Sequence, residues 1–300
     1  MKKVYTYYHL VFCLLTFAVS SCNHEPLENR EAYLEEVEAW RSERIAELTA
    51  PTGWLALAGL FWLEEGENTF GSGLENQLIF PKKAPSEIGR FMQKGDSVWV
   101  EIAQGVDIKV KEEVIQTMGL SGQASPLIME YGSLSWFLLQ RSHRYGIRLI
   151  DSLHEARQQF KHIDHYPVDP KGKVPAKLVA FEQPETLLVR NVLDMEIPYP
   201  TEGKLVFNWE GKEASILVLD GGPAEYFLIF ADATTGDETY PSGRYLYTPK
   251  VDSSGLTYID FNKAYNPPCA FTEYATCLLP PAANRLEVAI RYGEKNYGMH

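Results

Sequence analysis

Short strand-like runs cut apart by turn signals fill the chain from residue 54 onward, and this pattern excludes most architectures. In the first half the runs are Gln77 to Phe80, Ser97 to Ile102, Asp107 to Val110, Ser135 to Gln140 and Tyr145 to Ile150. In the second half they are Lys177 to Glu182, Thr186 to Val192, Gly203 to Trp209, Ala214 to Leu219 and Glu225 to Ala231. Glu210-Gly211, Asp220-Gly-Gly-Pro and Thr235-Gly-Asp separate the later ones. No helical crossover segment intervenes there, so an antiparallel arrangement fits and a βαβ fold does not. The expected fold is mainly β, with antiparallel sandwich- or barrel-like regions and one N-terminal amphipathic helix. Gly221-Gly222 is no dinucleotide loop, because it lacks a third glycine and opens onto Pro223 and another strand.

The helix is expected over Glu31 to Leu48, where Tyr33, Leu34, Val37, Trp40, Ile45 and Leu48 recur at near-helical spacing among Glu and Arg. Val37, Trp40 and Ile45 would dock it on the body. Ahead of it, Lys2 and Lys3 precede an apolar stretch, Val11 to Val19, too short to span a bilayer as a mature helix. Val19-Ser-Ser-Cys22 then sets small residues before a cysteine. This reads as a lipoprotein signal, with cleavage before Cys22 and lipidation (palmitate among the acyl chains) on it. Cys13 would leave with the signal. The expected division is a signal peptide at 1–21, a tether at 22–30, the helix plus a sandwich-like region at 31–155, and a second β region at 156–300. The 300 residues carry a net charge of -12, and loss of the signal would remove two lysines and no acid. Such a chain is unsuited to nucleic acid or to anionic membrane surfaces, so its membrane contact would be the lipid alone.

The densest motif is Asp260-Phe-Asn-Lys-Ala-Tyr-Asn-Pro-Pro-Cys, followed by Thr276-Cys277, Leu279-Pro-Pro and Asn284-Arg285-Leu286. Pro267 and Pro268 lack amide hydrogens and fix φ, so this is an ordered irregular loop rather than a strand or helix. Together with Phe230-Ala-Asp-Ala-Thr-Thr-Gly, Thr239-Tyr-Pro-Ser-Gly-Arg-Tyr-Leu, Arg144-Tyr-Gly-Ile-Arg-Leu and Trp54 to Ser72, it resembles an uncharacterised bacterial family catalogued as domain of unknown function 1684. The resemblance implies a bacterial protein, often a lipoprotein, and brings no activity. Separately, the order of pieces in the first half is similar to forkhead-associated-type sandwiches. The phosphothreonine-reading pattern there has an arginine directly after the turn glycine, whereas Gly71 is followed by Ser72.

Two readings of the Asp260 loop stand side by side. In the first it is structural: Cys269 and Cys277 could close a disulfide in an exported protein, Asn262 and Asn266 could cap turns, and Tyr265 and Tyr274 could pack with their hydroxyls bonded. In the second it is one wall of a pocket. Asp260 and Asp232 are then candidate carboxylates, Arg244 a clamp for an anionic group, and Asn262, Tyr265, Asn266 and Thr272 neutral donors and acceptors. A thiol nucleophile at Cys269 or Cys277 would need a histidine or a positive environment. His162 and His165 could share a helix face, but no third metal ligand stands near them, so no metal is expected. No cofactor is expected either. These readings give a lipid-anchored protein of the bacterial cell envelope, on the periplasmic or outer-membrane face, that binds a small polar ligand. The alternatives are a hydrolase-like enzyme using Asp232 or Asp260 with Arg244, and an envelope assembly protein with no small-molecule site.

Overall fold

The computed structural model describes residues 27–121 and 126–298. Cys22, the signal and most of the tether lie outside the described residues. The chain is mainly β, in four sheets with no closed barrel among the described residues. Among the described residues the pairings between named strands are antiparallel except for one short parallel contact between Phe70–Gly71 and Leu78–Ile79.

The first body is a sandwich. A six-stranded sheet, in spatial order Leu57–Trp62, Arg144–Asp151, Leu134–Arg141, Met129–Tyr131, Ile108–Val110 and Glu113–Ile115, faces a five-stranded one. The five-stranded sheet is ordered Leu78–Ile79, Gly66–Gly71, Gly89–Lys94, Ser97–Ile102 and Thr117–Leu120. Alternation in the central hairpin sends Leu134, Trp136, Leu138, Ile147 and Leu149 inward. There they meet Phe70 and Phe91, whose rings stack at 4.3 Å. The opposite face of the hairpin carries Phe137, Arg141, Arg148 and Ile150, with Arg148 directly across from Phe137. That face does not look into the sandwich; Ile150 and Phe137 pack with Tyr274 of the proline-rich loop.

The second body pairs a four-stranded sheet with a three-stranded one. The first is ordered Lys212–Leu217, Glu196–Trp209, Lys173–Arg190 and Leu256–Asp260. The second is ordered Leu219–Asp220, Glu225–Phe230 and Arg244–Pro249. Leu205, Phe207, Ile216, Leu228, Phe230, Ile259 and Phe261 fill the space between them. Two runs expected as separate strands, 177–182 and 186–192, belong to one 18-residue strand, Lys173–Arg190. Its register against Glu196–Trp209 breaks between Ala180 and Glu185. Pro184, which has no amide to donate, sits in that break rather than ending the strand.

The N-terminal helix spans Leu27–Thr49. Its buried stripe includes Val37, Arg44 and Leu48, and the helix is fastened to the second body. Tyr33 bonds Asp260, Lys263 pairs with Glu36 at 2.5 Å, and Arg41 donates to the Tyr166 carbonyl at 3.0 Å. The segment after the sandwich is helical only over Glu155–Gln159. His162 and His165 therefore do not share a helix face.

Candidate functional site

The polar residues singled out in the sequence gather into three buried clusters. The first begins at the Pro241-Ser-Gly-Arg turn. Gly243 has φ +84°, and a Cβ there would lie 2.5 Å from the Phe230 carbonyl oxygen, so the turn needs glycine. It launches Arg244 into the interior, where the side chain is fully buried. One Nη donates to Asp232 Oδ2 at 2.6 Å and to the Ile290 carbonyl at 2.8 Å, and the other donates to the Tyr292 carbonyl. Asp232 Oδ1 accepts from the Thr234 amide and hydroxyl at 2.7 and 2.5 Å. The pair pins the irregular C-terminal segment onto the sheet end.

The second cluster is centred on Asn262, also fully buried. Its Nδ2 donates to the Asp169 carbonyl at 2.9 Å and its Oδ1 accepts from the Asp169 amide at 3.1 Å. Asp260 caps the short 3₁₀ turn Phe261–Lys263 through the Asn262 amide and accepts the Tyr33 hydroxyl at 2.8 Å. Burial, and then the Asp260 charge, push the Tyr33 hydroxyl well above the usual phenol range.

The third cluster joins helix, loop and C-terminus. Glu294 is fully buried and accepts the Asn266 amide at 2.7 Å. Arg44 stands 3.4 Å away and donates to the Asn266 carbonyl at 3.0 Å. The Arg44 guanidinium also lies 4.6 Å over the Tyr265 ring. Burial raises the Glu294 carboxyl, and Arg44 opposes that rise. Asn266 Nδ2 donates to the Lys295 carbonyl at 2.8 Å. His165 lies beside this segment, in a bridge to Glu294. Burial, helped by the Arg41 charge, pushes its imidazole down to about 4.

An open cleft of about 720 Å³ lies elsewhere. One wall is the loop stretch Cys269, Phe271, Thr272, Glu273 and Tyr274; others come from the 236–241 turn, Leu55 and Leu57, and the start of the short helix at His154 and Ala156. Of the sequence candidates only Cys269 and Thr272 line this cleft. Asp232, Arg244, Asp260, Asn262 and Asn266 do not. Tyr265 lines a second recess of about 460 Å³ with Trp40, Arg44 and Tyr247.

Cys269 and Cys277 stand side by side as thiols. The Cys269 amide donates to Cys277 Sγ at 3.0 Å. Cys277 is 6% exposed, whereas Cys269 is only partly buried and opens on the cleft. A hydrogen bond from Cys277 lowers the Cys269 thiol against the opposing effect of burial, and Arg148 lowers it further. Burial raises Cys277, and its bond to Cys269 adds to that rise.

Sequence reasoning missed Arg44, Glu294 and Arg148. Arg44 had a signal: it falls on the stripe of Val37 and Leu48, where a charge needs a buried partner. Arg148 had one too, lying between Gly146 and Ile150 on the second face of a strand buried on both sides. Glu294 had none, because the C-terminal segment is irregular.

Fold and clusters define a two-body β protein whose motif residues lock irregular segments together. Residues 158–295 match the model of the family described as Protein of unknown function (DUF1684). The match holds the Asp260 motif and the Asp232 and Arg244 stretches; Trp54 to Ser72 and Arg144 to Leu149 lie outside it. The chain is similar to the solution structure of an uncharacterised protein of Haloarcula marismortui, from gene locus rrnAC0354. That likeness has 28% identity, covers 48% of this chain and 81% of that one, and has a TM-score of 0.41. The FHA domain of FhaA, solved with the intracellular domain of Rv3910, is similar over 30% of this chain and 96% of its own, at 15% identity and a TM-score of 0.22. The Rv0020c FHA structure is similar over 31% and 95%, at 16% identity and a TM-score of 0.21. No curated protein matches the chain.

Proposed function

We propose that this chain is a lipid-anchored protein of a bacterial cell envelope that binds a small polar molecule in the cleft beside Cys269 and Thr272. The cleft carries the proposal. Its volume of about 720 Å³ is within the roughly 300–1,000 Å³ of small-molecule sites. Its wall mixes apolar Leu55, Leu57 and Phe271 with polar His154, Tyr240 and Asn296. It holds two carboxylates, Asp237 and Glu273, and no lysine or arginine. That balance favours a neutral or cationic ligand over an anion. The hydrolase alternative needs Asp232, Asp260 and Arg244 to reach a substrate, and burial of all three in hydrogen bonds gives it no support. The anchor rests on the Val19-Ser-Ser-Cys22 pattern. No helix among the described residues is long and apolar enough to cross a membrane.

The test uses the full chain extracted from membranes in mild detergent. Native mass spectrometry should find a retained small mass, and Thr272→Trp, which fills the cleft, should release it. A bare mass, together with no thermal shift from any of a panel of neutral and cationic metabolites, would defeat the ligand proposal. Metabolic labelling with an alkynyl palmitate should mark the wild type and not Cys22→Ser; an unlabelled wild type would defeat the anchor.

A further inference from the structure

Arg148 is a buried cation with no carboxylate partner among the described residues. It is 6% exposed, and neither Nε nor Nη2 has a hydrogen-bond acceptor among the described residues. It pairs with no carboxylate there, and its guanidinium lies 5.5 Å over the Trp54 ring. An uncompensated guanidinium in a protein interior is costly, and natural folds neutralise such groups. Burial pulls Arg148 down to about 10, with Arg141 adding to the fall. Cys277 and Cys269 are the groups that favour its charge. The strand alternation described above aims Arg148 off the sandwich core and toward the proline-rich loop. Trp54 beneath it and Cys269 both pack against the buried cluster that holds Cys277.

The cysteines are unequal in the way that exchange chemistry uses. Cys269 sits in the 3₁₀ turn Pro268–Ala270, partly buried on the cleft wall, while Cys277 lies behind it. A thiolate at Cys269 would supply the negative charge that Arg148 lacks, and an accessible thiol backed by a buried one suits attack followed by resolution.

We propose that Cys269 and Cys277 are a reactive dithiol for thiol–disulfide exchange with a small neutral or cationic disulfide, with Cys269 as the attacking thiolate and Arg148 as its positioning cation. The Cys269 thiolate attacks one sulfur of the ligand disulfide; that S–S bond breaks, and one thiolate leaves and takes a proton from solvent. Cys277, losing its proton to solvent, then attacks the Cys269 sulfur of the mixed disulfide, and the second ligand thiolate departs. The protein dithiol is oxidised to a disulfide and the ligand is reduced to two thiols. The titratable groups around Cys269 are Cys277, Arg148, Tyr240 and Tyr245, with His154, Asp237, Glu273 and Tyr274 on the cleft wall. The proposal rests on the cleft only for access, and the first arm of its test involves no ligand.

In that arm the full-length protein is reduced and the rate of iodoacetamide modification of each cysteine is followed against pH by peptide mass spectrometry. Cys269 should react first, with a midpoint below the roughly 8.5 of an ordinary thiol. Arg148→Met should raise that midpoint and slow modification at pH 7 at least tenfold, with Arg148→Lys recovering part of the loss. In the second arm cystamine is the disulfide. Wild type should become two hydrogens lighter than the dithiol with release of two equivalents of cysteamine, and Cys277→Ser should stop as a cysteamine adduct on Cys269. An ordinary midpoint for Cys269, a midpoint unmoved in both Arg148 variants, or a native disulfide that resists dithiothreitol would overturn the proposal. Iodoacetamide profiles as expected for a lowered Cys269 midpoint, with loss of cystamine reaction only in Thr272→Trp, would uphold both thiol and cleft. The same profiles with Thr272→Trp reacting like wild type would uphold the dithiol and count against the cleft as the ligand's seat.

Discussion

Arg244 and Asp232 meet at 2.6 Å with neither side chain exposed to solvent, and both Nη groups of the arginine also donate to backbone carbonyls of the C-terminal segment. A pair built this way is structural. Removing one member leaves the other charged and buried, which costs about 3–5 kcal/mol. Asp232→Asn should therefore lower stability in urea by that order. Limited proteolysis should cut first near residues 286–296, the segment Arg244 holds. A variant that kept wild-type stability would show the pair to be dispensable for the fold.

Glu294 gives a pH signature. Its carboxyl is raised in the folded protein by burial, only partly offset by Arg44. The folded state thus binds the proton more tightly than the unfolded chain. The contribution of Glu294 is fully present below the unfolded carboxyl range and is lost as pH rises through the folded value. Glu294→Gln keeps an acceptor for the Asn266 amide and removes this titration. Denaturant midpoints from pH 4 to 8 should show the variant gaining on wild type as pH rises. Parallel curves would mean that the carboxylate is fully compensated.

His165 works in the opposite sense. Burial, then Arg41, depress it to about 4, against an ordinary value near 6.5. The unfolded chain takes up the proton first, so stability falls as pH drops from about 6.5 toward 4. His165→Asn should flatten wild-type stability on the acid side of neutrality and leave it unchanged above pH 7. A Glu294→Gln variant, which lacks the opposing titration and keeps His165, that proved as stable at pH 5 as at pH 7 would contradict this.

These residues also mark how far the sequence could be read. The β architecture was legible because strand alternation and turn chemistry are local: Ser97 to Ile102 and the hairpin around Arg141 and Arg144 are strands where the pattern put them. The helix was legible for the same reason. The gap between the runs 177–182 and 186–192 misled, because it is a register break within one strand, Lys173–Arg190. The Asp260 motif was legible as an ordered loop, but not what its polar groups bond. Asn262 reaches Asp169 and Tyr33, and Asn266 reaches Arg44 and Glu294, all far away in sequence. The same polar residue types suit a pocket or a buried lock, and only the fold distinguishes them. The cleft was half legible, in Cys269 and Thr272, since its other walls come from distant turns.

The helix offers a test of whether buried or exposed polar contacts fasten it. Tyr33 donates to Asp260 at 2.8 Å and accepts from Asn262 Nδ2 at 2.8 Å. Asp260 is 3% exposed; Tyr33 bonds its Oδ1, and its Oδ2 has no hydrogen-bond partner among the described residues. Tyr33→Phe keeps the ring against Lys173 and removes the donor nearest that carboxylate. Oδ1 keeps the Asn262 amide and Nδ2 at 3.2 Å, so the cost is that of one hydrogen bond to a buried charge, about 1.5–3 kcal/mol. Glu36, a few residues on, reaches Lys263 at 2.5 Å across the surface, and exposed pairs contribute about 0–1 kcal/mol. Urea unfolding should therefore rank Tyr33→Phe well below Glu36→Gln in stability. Hydrogen exchange in Leu27–Thr49 should accelerate in the first variant and barely change in the second. Equal effects, or a larger one from Glu36→Gln, would mean that the helix is held by its surface charges rather than by the hydroxyl it inserts between Asp260 and Asn262.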